Sequence, residues 1–365
     1  MIQKHANSQI PKRREFLKLT AGIVTGLGIT SFRPEAWGNE ALAETSQPIS
    51  RDYLQQGLNA LARAHHMSSM AGHLGASLIA GYFVGMQTPK LEKAVYSGIQ
   101  DDLQRVKNGK SVFGKKMSRK SKLNDPQLFE SFPKQKADAT LIDGIAESLE
   151  QSIDQPRQSG HNVIFAALAI RALKEHPELS TPAVVDGIRR LMMMFKNQSP
   201  GSGYYGKERG RIHGNKVLLP EDDSTPQYTE VNEMVDAVLE EIIQLRPDVN
   251  RVGYGGMVHL INHAAAITEL AELGYQSLAN RAVKSHHKHL RLWHNLPNVA
   301  EEKGAIAVSS HTPHSAEYWA TGTVPYDRAL LTHRVKTMYG FHELASAVQS
   351  DEKYQTAFEK LRYFM

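Results

Sequence analysis

The chain has no cysteine among its 365 residues. That excludes disulfides, a thiolate nucleophile, an iron–sulfur cluster and c-type haem attachment. Stability must come from core packing, or from a metal held by other side chains. A membrane-spanning run is also missing. The apolar stretch near the N-terminus is roughly 14 residues, against the ~18–20 that a spanning helix needs. Charge of one sign is scarce outside the N-terminal segment. Residues 1–43 hold six basic side chains (Lys4, Lys12, Arg13, Arg14, Lys18, Arg33) against three acidic ones, which is most of the formal net charge of +5. The remainder is close to neutral, so the high isoelectric point does not indicate nucleic acid. GYGG at 253–256 and GSGYYG at 201–206 lack the strand–turn–helix setting of a nucleotide loop.

What is present begins with an address. Arg13-Arg14 precede Phe16, Leu17 and Lys18, then a weakly apolar run, then Ala41-Leu42-Ala43. This order is that of a secretory signal, and the paired arginines resemble a twin-arginine export signal. The expectation is a signal peptide over 1–43 with cleavage near Ala43, engagement of the twin-arginine machinery and a periplasmic or exported product. The mature form would have no stable membrane span. Residues 44–365 are expected to form a single domain. The basic cluster GKKMSRKSK (114–122) reads as an exposed loop.

Apolar residues recur at helical spacing through most of 44–365, with little strict alternation. The spacing predicts an all-α fold of paired inner and outer helical hairpins around a central pocket. The pairs are 54–85 with 88–107, 161–175 with 181–196, 256–273 with 275–294, and 326–349 with 351–363. Thr88-Pro89, Ser180 or Thr181 ahead of Pro182, and Ser350 are helix starts by their chemistry. Two further helices fit 138–153 and 229–245. The inner helices are rich in Gly, Ala and Ser; the outer ones are amphipathic. The connections 108–137, 197–228 and 295–325 are long enough to serve as lids or binding loops.

Histidine is abundant, with 17 in the chain. His73, His161, His259 and His333 each lie near the start of one inner helix. One such histidine is an ordinary core residue; four in equivalent places predict a shared centre of imidazoles and hence a metal site. Imidazole suits Zn, Fe, Cu and Ni alike. His263 shares a helix face with His259 and is an alternative ligand. His66, two turns before His73 if the helix is continuous, is a reserve. Lys336 shares a face with His333 and could ligate as a carbamate or as a desolvated amine, or else serve as a counter-ion. His286, His287 and His289 are expected on a solvated outer helix. His311 and His314 fall in a loop at which Tyr318 and Trp319 could stack on a flat ligand.

HLGASLIAGYFVG followed by LEKAVY, then GHNVIFAALAIRAL, then THRVKTMYGFHEL resemble, in order, segments of the questin oxidase-like family. The resemblance implies an oxidase or oxygenase acting on an aromatic or quinonoid small molecule at a non-haem iron. It nominates His73, His161, His259 and His333 as ligands, with Lys336 as a fifth. A metal-dependent hydrolase, with zinc as the alternative ion, and a non-catalytic helical protein that binds a metal or small molecule are the competing readings.

Overall fold

Four helices enclosed on all sides organise the molecule. The computed structural model describes residues 48–87, 90–117, 123–221, 224–320, 330–348 and 350–364. The expected signal peptide, the Thr88-Pro89 helix start and most of the basic cluster lie outside the described residues.

The principal helices are α1 (Arg51–Arg63), α2 (Gly72–Met86), α3 (Lys93–Lys107), α4 (Val112–Met117), α5 (Asp125–Phe129), α6 (Asp143–Glu150) and α7 (His161–Glu175). They continue as α8 (Pro182–Met193), α9 (Val231–Ile243), α10 (Met257–Glu272), α11 (Gln276–His294), α12 (Leu330–Leu344) and α13 (Asp351–Glu359). A two-stranded antiparallel ribbon, β1 (Ser202–Tyr204) with β2 (Arg211–His213), is the sheet among the described residues. The fold is all-α, and no described helix is long and apolar enough to cross a membrane.

Local chemistry sets most boundaries. Pro182 opens α8 where a missing N–H costs nothing. The Ser350 hydroxyl accepts from the Lys353 N–H and caps α13. The expected helix over 54–85 is instead two helices. The chain turns through single 3-10 turns at Ala64–His66 and Ser69–Ala71, then starts α2 at Gly72. The resulting hairpin closes tightly. A Cβ on Gly75 would lie 2.4 Å from the Gly57 carbonyl oxygen, so α1 and α2 meet backbone to backbone.

α2, α7, α10 and α12 form a closed ring in which α2 packs on α7, α7 on α10, α10 on α12 and α12 on α2. Every residue from Gly72 to Gly85 is buried, as is every residue from His161 to Leu173. Helices apolar or small on all sides belong in such an interior. The outer helices follow the expected pairing in part. α3 packs on α2 and α11 on α10, whereas α13 packs mainly on α9, and α8 mainly on α1 and α6. A hairpin partner in sequence is therefore not always the packing partner.

The ring is tied together at a second level. Phe83, Arg171, Glu269 and Glu343 each stand ten residues beyond one of the four histidines, about 15 Å along a helix. Arg171 Nη1 lies 2.9 Å from Glu269 Oε1 and 2.7 Å from Glu343 Oε2, and its guanidinium sits 4.2 Å from the Phe83 ring centre. Tyr339 donates to Glu269. Meeting at both levels requires all four helices to run in the same direction. One arginine balances one of two buried carboxylates, so burial, with the charge of Glu343, pushes Glu269 above the usual carboxylate range.

Candidate metal centre

The four histidines begin their helices. His161 is the first residue of α7 and His73 the second of α2, while His259 is the third of α10 and His333 the fourth of α12. A parallel ring therefore brings them to one end, where one nitrogen of each lies within 4.8 Å of the others. All four are buried.

Backbone strain aims two of them. Gln158, Ser159 and Gly160 are consecutive left-handed residues, with φ of 48°, 64° and 86°. Such a run is costly for non-glycine residues and persists only when its surroundings fix it. Here the Gln158 and Ser159 N–H groups donate to the Ser199 and Pro200 carbonyls at 2.8 and 3.0 Å. The turn presents the Gln158 carbonyl to His161 Nδ1, which donates to it. A second left-handed run, Tyr254 to Gly256, precedes α10, and His259 Nδ1 donates to the Gly255 carbonyl at 2.6 Å. Tyr254 N–H is held by the Ser202 carbonyl.

These bonds fix the tautomers. With Nδ1 protonated, Nε2 of His161 and of His259 each carries only a lone pair. Yet the two Nε2 atoms are 3.1 Å apart, and His333 Nε2 is 3.1 Å from that of His259. Between His161 and His259, two lone pairs face each other with no hydrogen to share. A cation between them turns that repulsion into attraction. Adjacent donors around an ion with bonds of roughly 2.0–2.1 Å stand about 2.9–3.4 Å apart, as here. Backbone carbonyls on the far nitrogens are the usual outer support of metal-bound imidazole.

His73 completes the group. Its ring stacks on Phe113 at 3.9 Å and lies 4.4 Å from that of His161. His73 Nδ1 is 2.6 Å from Lys336 Nζ, while Nε2 is buried without a hydrogen-bond partner. Burial, then the charge of Lys336, holds His259 down at about 3, and the same two causes rank first for His73. Burial alone lowers Lys336 to about 7. His73, His161 and His259 are thus neutral donors, the form that binds metal.

The centre opens into a cavity of about 470 Å³, lined by the four histidines together with Met70, Phe113, Gln158, Ser159, Ser202 and others. A site that keeps an open side resembles catalytic rather than closed structural metal sites.

The other histidines sort differently from the expectation. His66 is exposed in the turn between α1 and α2, because the break there removes the continuous face that would have carried it to His73. His286 and His289 are fully buried, not solvated, because α11 turns them toward α10. Tyr228 donates to His286 Nδ1 at 2.6 Å, and His286 Nε2 donates to the Leu260 carbonyl. His289 Nε2 donates to the Tyr254 carbonyl, leaving its Nδ1 to accept from His263 Nδ1 at 3.3 Å. His263 therefore belongs to this second group, and His259 is the α10 residue that faces the centre. Tyr318 and Trp319 are buried and do not line the cavity. Trp319 donates to the Pro313 carbonyl, and Arg334 lies over its ring.

Phe113, Met70 and the two left-handed turns escaped sequence reasoning. The available signal was glycine: Gly160 and the Gly253, Gly255 and Gly256 set stand immediately ahead of two histidine helices. Compared with known protein families, with curated proteins and with solved structures, the chain matches none.

Proposed function

We propose that the chain is a metal-dependent oxidoreductase whose ion, a non-haem iron, is held by His73, His161, His259 and His333. Its substrate is an aromatic or quinonoid small molecule taken into the adjoining cavity. The observation that carries the metal is the 3.1 Å approach of two Nε2 lone pairs whose partner nitrogens are already bonded to backbone carbonyls. Four imidazoles suit iron, and an ion with free positions supplies redox and Lewis-acid chemistry beside a bound ring.

The chain's own residues have separable tasks. The Gln158 and Gly255 carbonyls hold His161 and His259 in one tautomer. Lys336 orients His73 and is placed to act as a fifth ligand if carbamylated. Phe113 and Met70 give the cavity an apolar wall for a ring. The hydrolase reading gains less support. The cavity lining contains no Asp or Glu among the described residues to take a proton from water, and its histidines are the ligands themselves. The twin-arginine-like N-terminus supports export after folding, with the ion already in place.

Elemental analysis of protein expressed in metal-replete cells tests the centre, with about one ion per chain expected. His161→Ala and His333→Ala should each empty it, while exposed His311→Ala should not. Less than about 0.2 ion per chain in the parent protein would sink the reading. Oxygen uptake by the iron-loaded protein with phenols or quinones separates oxidoreductase from hydrolase.

A further inference from the structure

The donor set at the centre has a consequence for what enters the cavity. Four imidazoles bind an ion as neutral ligands, so a divalent ion keeps its whole charge inside the protein. Buried charge without a counter-charge is costly. Among the described residues, none that lines the cavity is Asp or Glu. Among the described residues, the buried carboxylates elsewhere are committed: Asp102 to Arg334 and Arg105, Glu269 and Glu343 to Arg171. Asp125 packs against Gly109 and Gly114 rather than lining the cavity.

The backbone adds to the positive side. α2, α7 and α10 begin without a side-chain cap, and each begins at residues that line the cavity: His73, His161, and Val258 with His259. Helix N-termini without a side-chain cap still carry partial positive charge. The buried, unpartnered His73 Nε2 lies in the same wall. The rest of that wall includes Met70, Phe113, Val258 and Leu330.

We infer that the cavity takes an organic oxyanion with an apolar body, its charged oxygen set toward the four-histidine centre and its body against Phe113, Met70 and Leu330. The anion supplies the negative charge that the described lining lacks. This rests on the metal reading above, and the experiment separates the two.

The protein is loaded with Co²⁺, whose visible absorption reports the ligands around it, and titrated with benzoate and with benzamide. The two probes share a ring and differ in charge. Benzoate should shift the cobalt bands saturably and bind at least about ten-fold more tightly than benzamide. Ser202→Asp places a carboxylate in the lining; it should keep cobalt and lose the benzoate preference. Cobalt bound with equal responses to both probes, or with none, overturns the oxyanion inference and leaves the metal centre standing. An unchanged preference in Ser202→Asp also counts against it. A carbamate on Lys336, detected by ¹³C resonance after loading with labelled bicarbonate, overturns it as well, because the chain would then provide the charge itself. Failure to retain cobalt at all sinks both readings.

Discussion

Lys336 Nζ lies 2.6 Å from His73 Nδ1, with both side chains buried. The contact joins α12 to α2 directly behind the centre and fixes the plane of the His73 ring. Lys336→Met keeps the length of the side chain and removes the nitrogen. Metal affinity measured by competition with a chelator should fall about 10- to 100-fold, the usual cost of removing an outer support. Unchanged affinity would show that Phe113 alone orients His73.

His263 and His259 are one turn apart, yet only His259 faces the other three imidazoles. His263→Asn should leave the metal content of the purified protein within about two-fold of the parent while lowering its unfolding temperature, since it breaks the bond to His289 at a fully buried site. Loss of the metal would reverse the assignment of the α10 ligand.

Burial holds His286 at about 3 and His289 at about 4. In the unfolded chain both take up protons as pH falls below about 6.5. The unfolded state then binds more protons than the folded one, so stability declines as pH drops from about 6.5 toward those lower values. Each histidine contributes a slope of up to about 1.4 kcal/mol per pH unit in that window. Denaturant titrations of the metal-free protein at pH 7, 6 and 5 should show this decline, and His289→Gln should flatten it. A flat profile between pH 7 and 5 would contradict the neutral buried state.

The Arg171 level should respond asymmetrically. Arg171→Met leaves Glu269 and Glu343 facing each other without a cation and should cost about 3–5 kcal/mol in equilibrium unfolding. Glu269→Gln keeps the shape, preserves an acceptor for Tyr339 and leaves Arg171 with Glu343 as its one buried carboxylate, beside the exposed Glu175; it should cost under about 1 kcal/mol. Equal losses would mean that both carboxylates are charged and needed.

Gly75→Ala drives a methyl group against the Gly57 carbonyl with backbone on both sides. A loss of about 1–3 kcal/mol is expected in the same unfolding assay, with α1 and α2 forced apart.

Much of this was legible in the sequence for a definite reason. Periodicity and caps placed α7, α10 and α11 to within a residue or two, and His73, His161, His259 and His333 stood out because each opens a helix of small and apolar residues. Periodicity describes one helix at a time, however. It could not show that α11 faces inward along His286 and His289, since KSHHKHLRLWH has polar residues on every side. Nor could it show the break at 64–71, where the apolar pattern continues through two short turns. Phe113 sits beside a lysine-rich stretch that reads as solvent-facing, so its stacking on His73 leaves no trace in the local pattern. The left-handed turns before α7 and α10 left a glycine trace, but Gln158, Ser159 and Tyr254 are not residues from which positive φ is expected.

The parallel ring also bears on how the molecule comes together. Lys336 is separated from His73 by 263 positions in sequence, and His333 from His259 by 74. The two histidines of the centre nearest in sequence are 74 positions apart, so no single helix or hairpin brings two of these imidazoles together. The separations make contact order high and push closure of the ring late in folding. An ion bound there would join four segments that are far apart in the sequence. A chain stopped before α12 would carry three imidazoles and an open seam between α10 and α2.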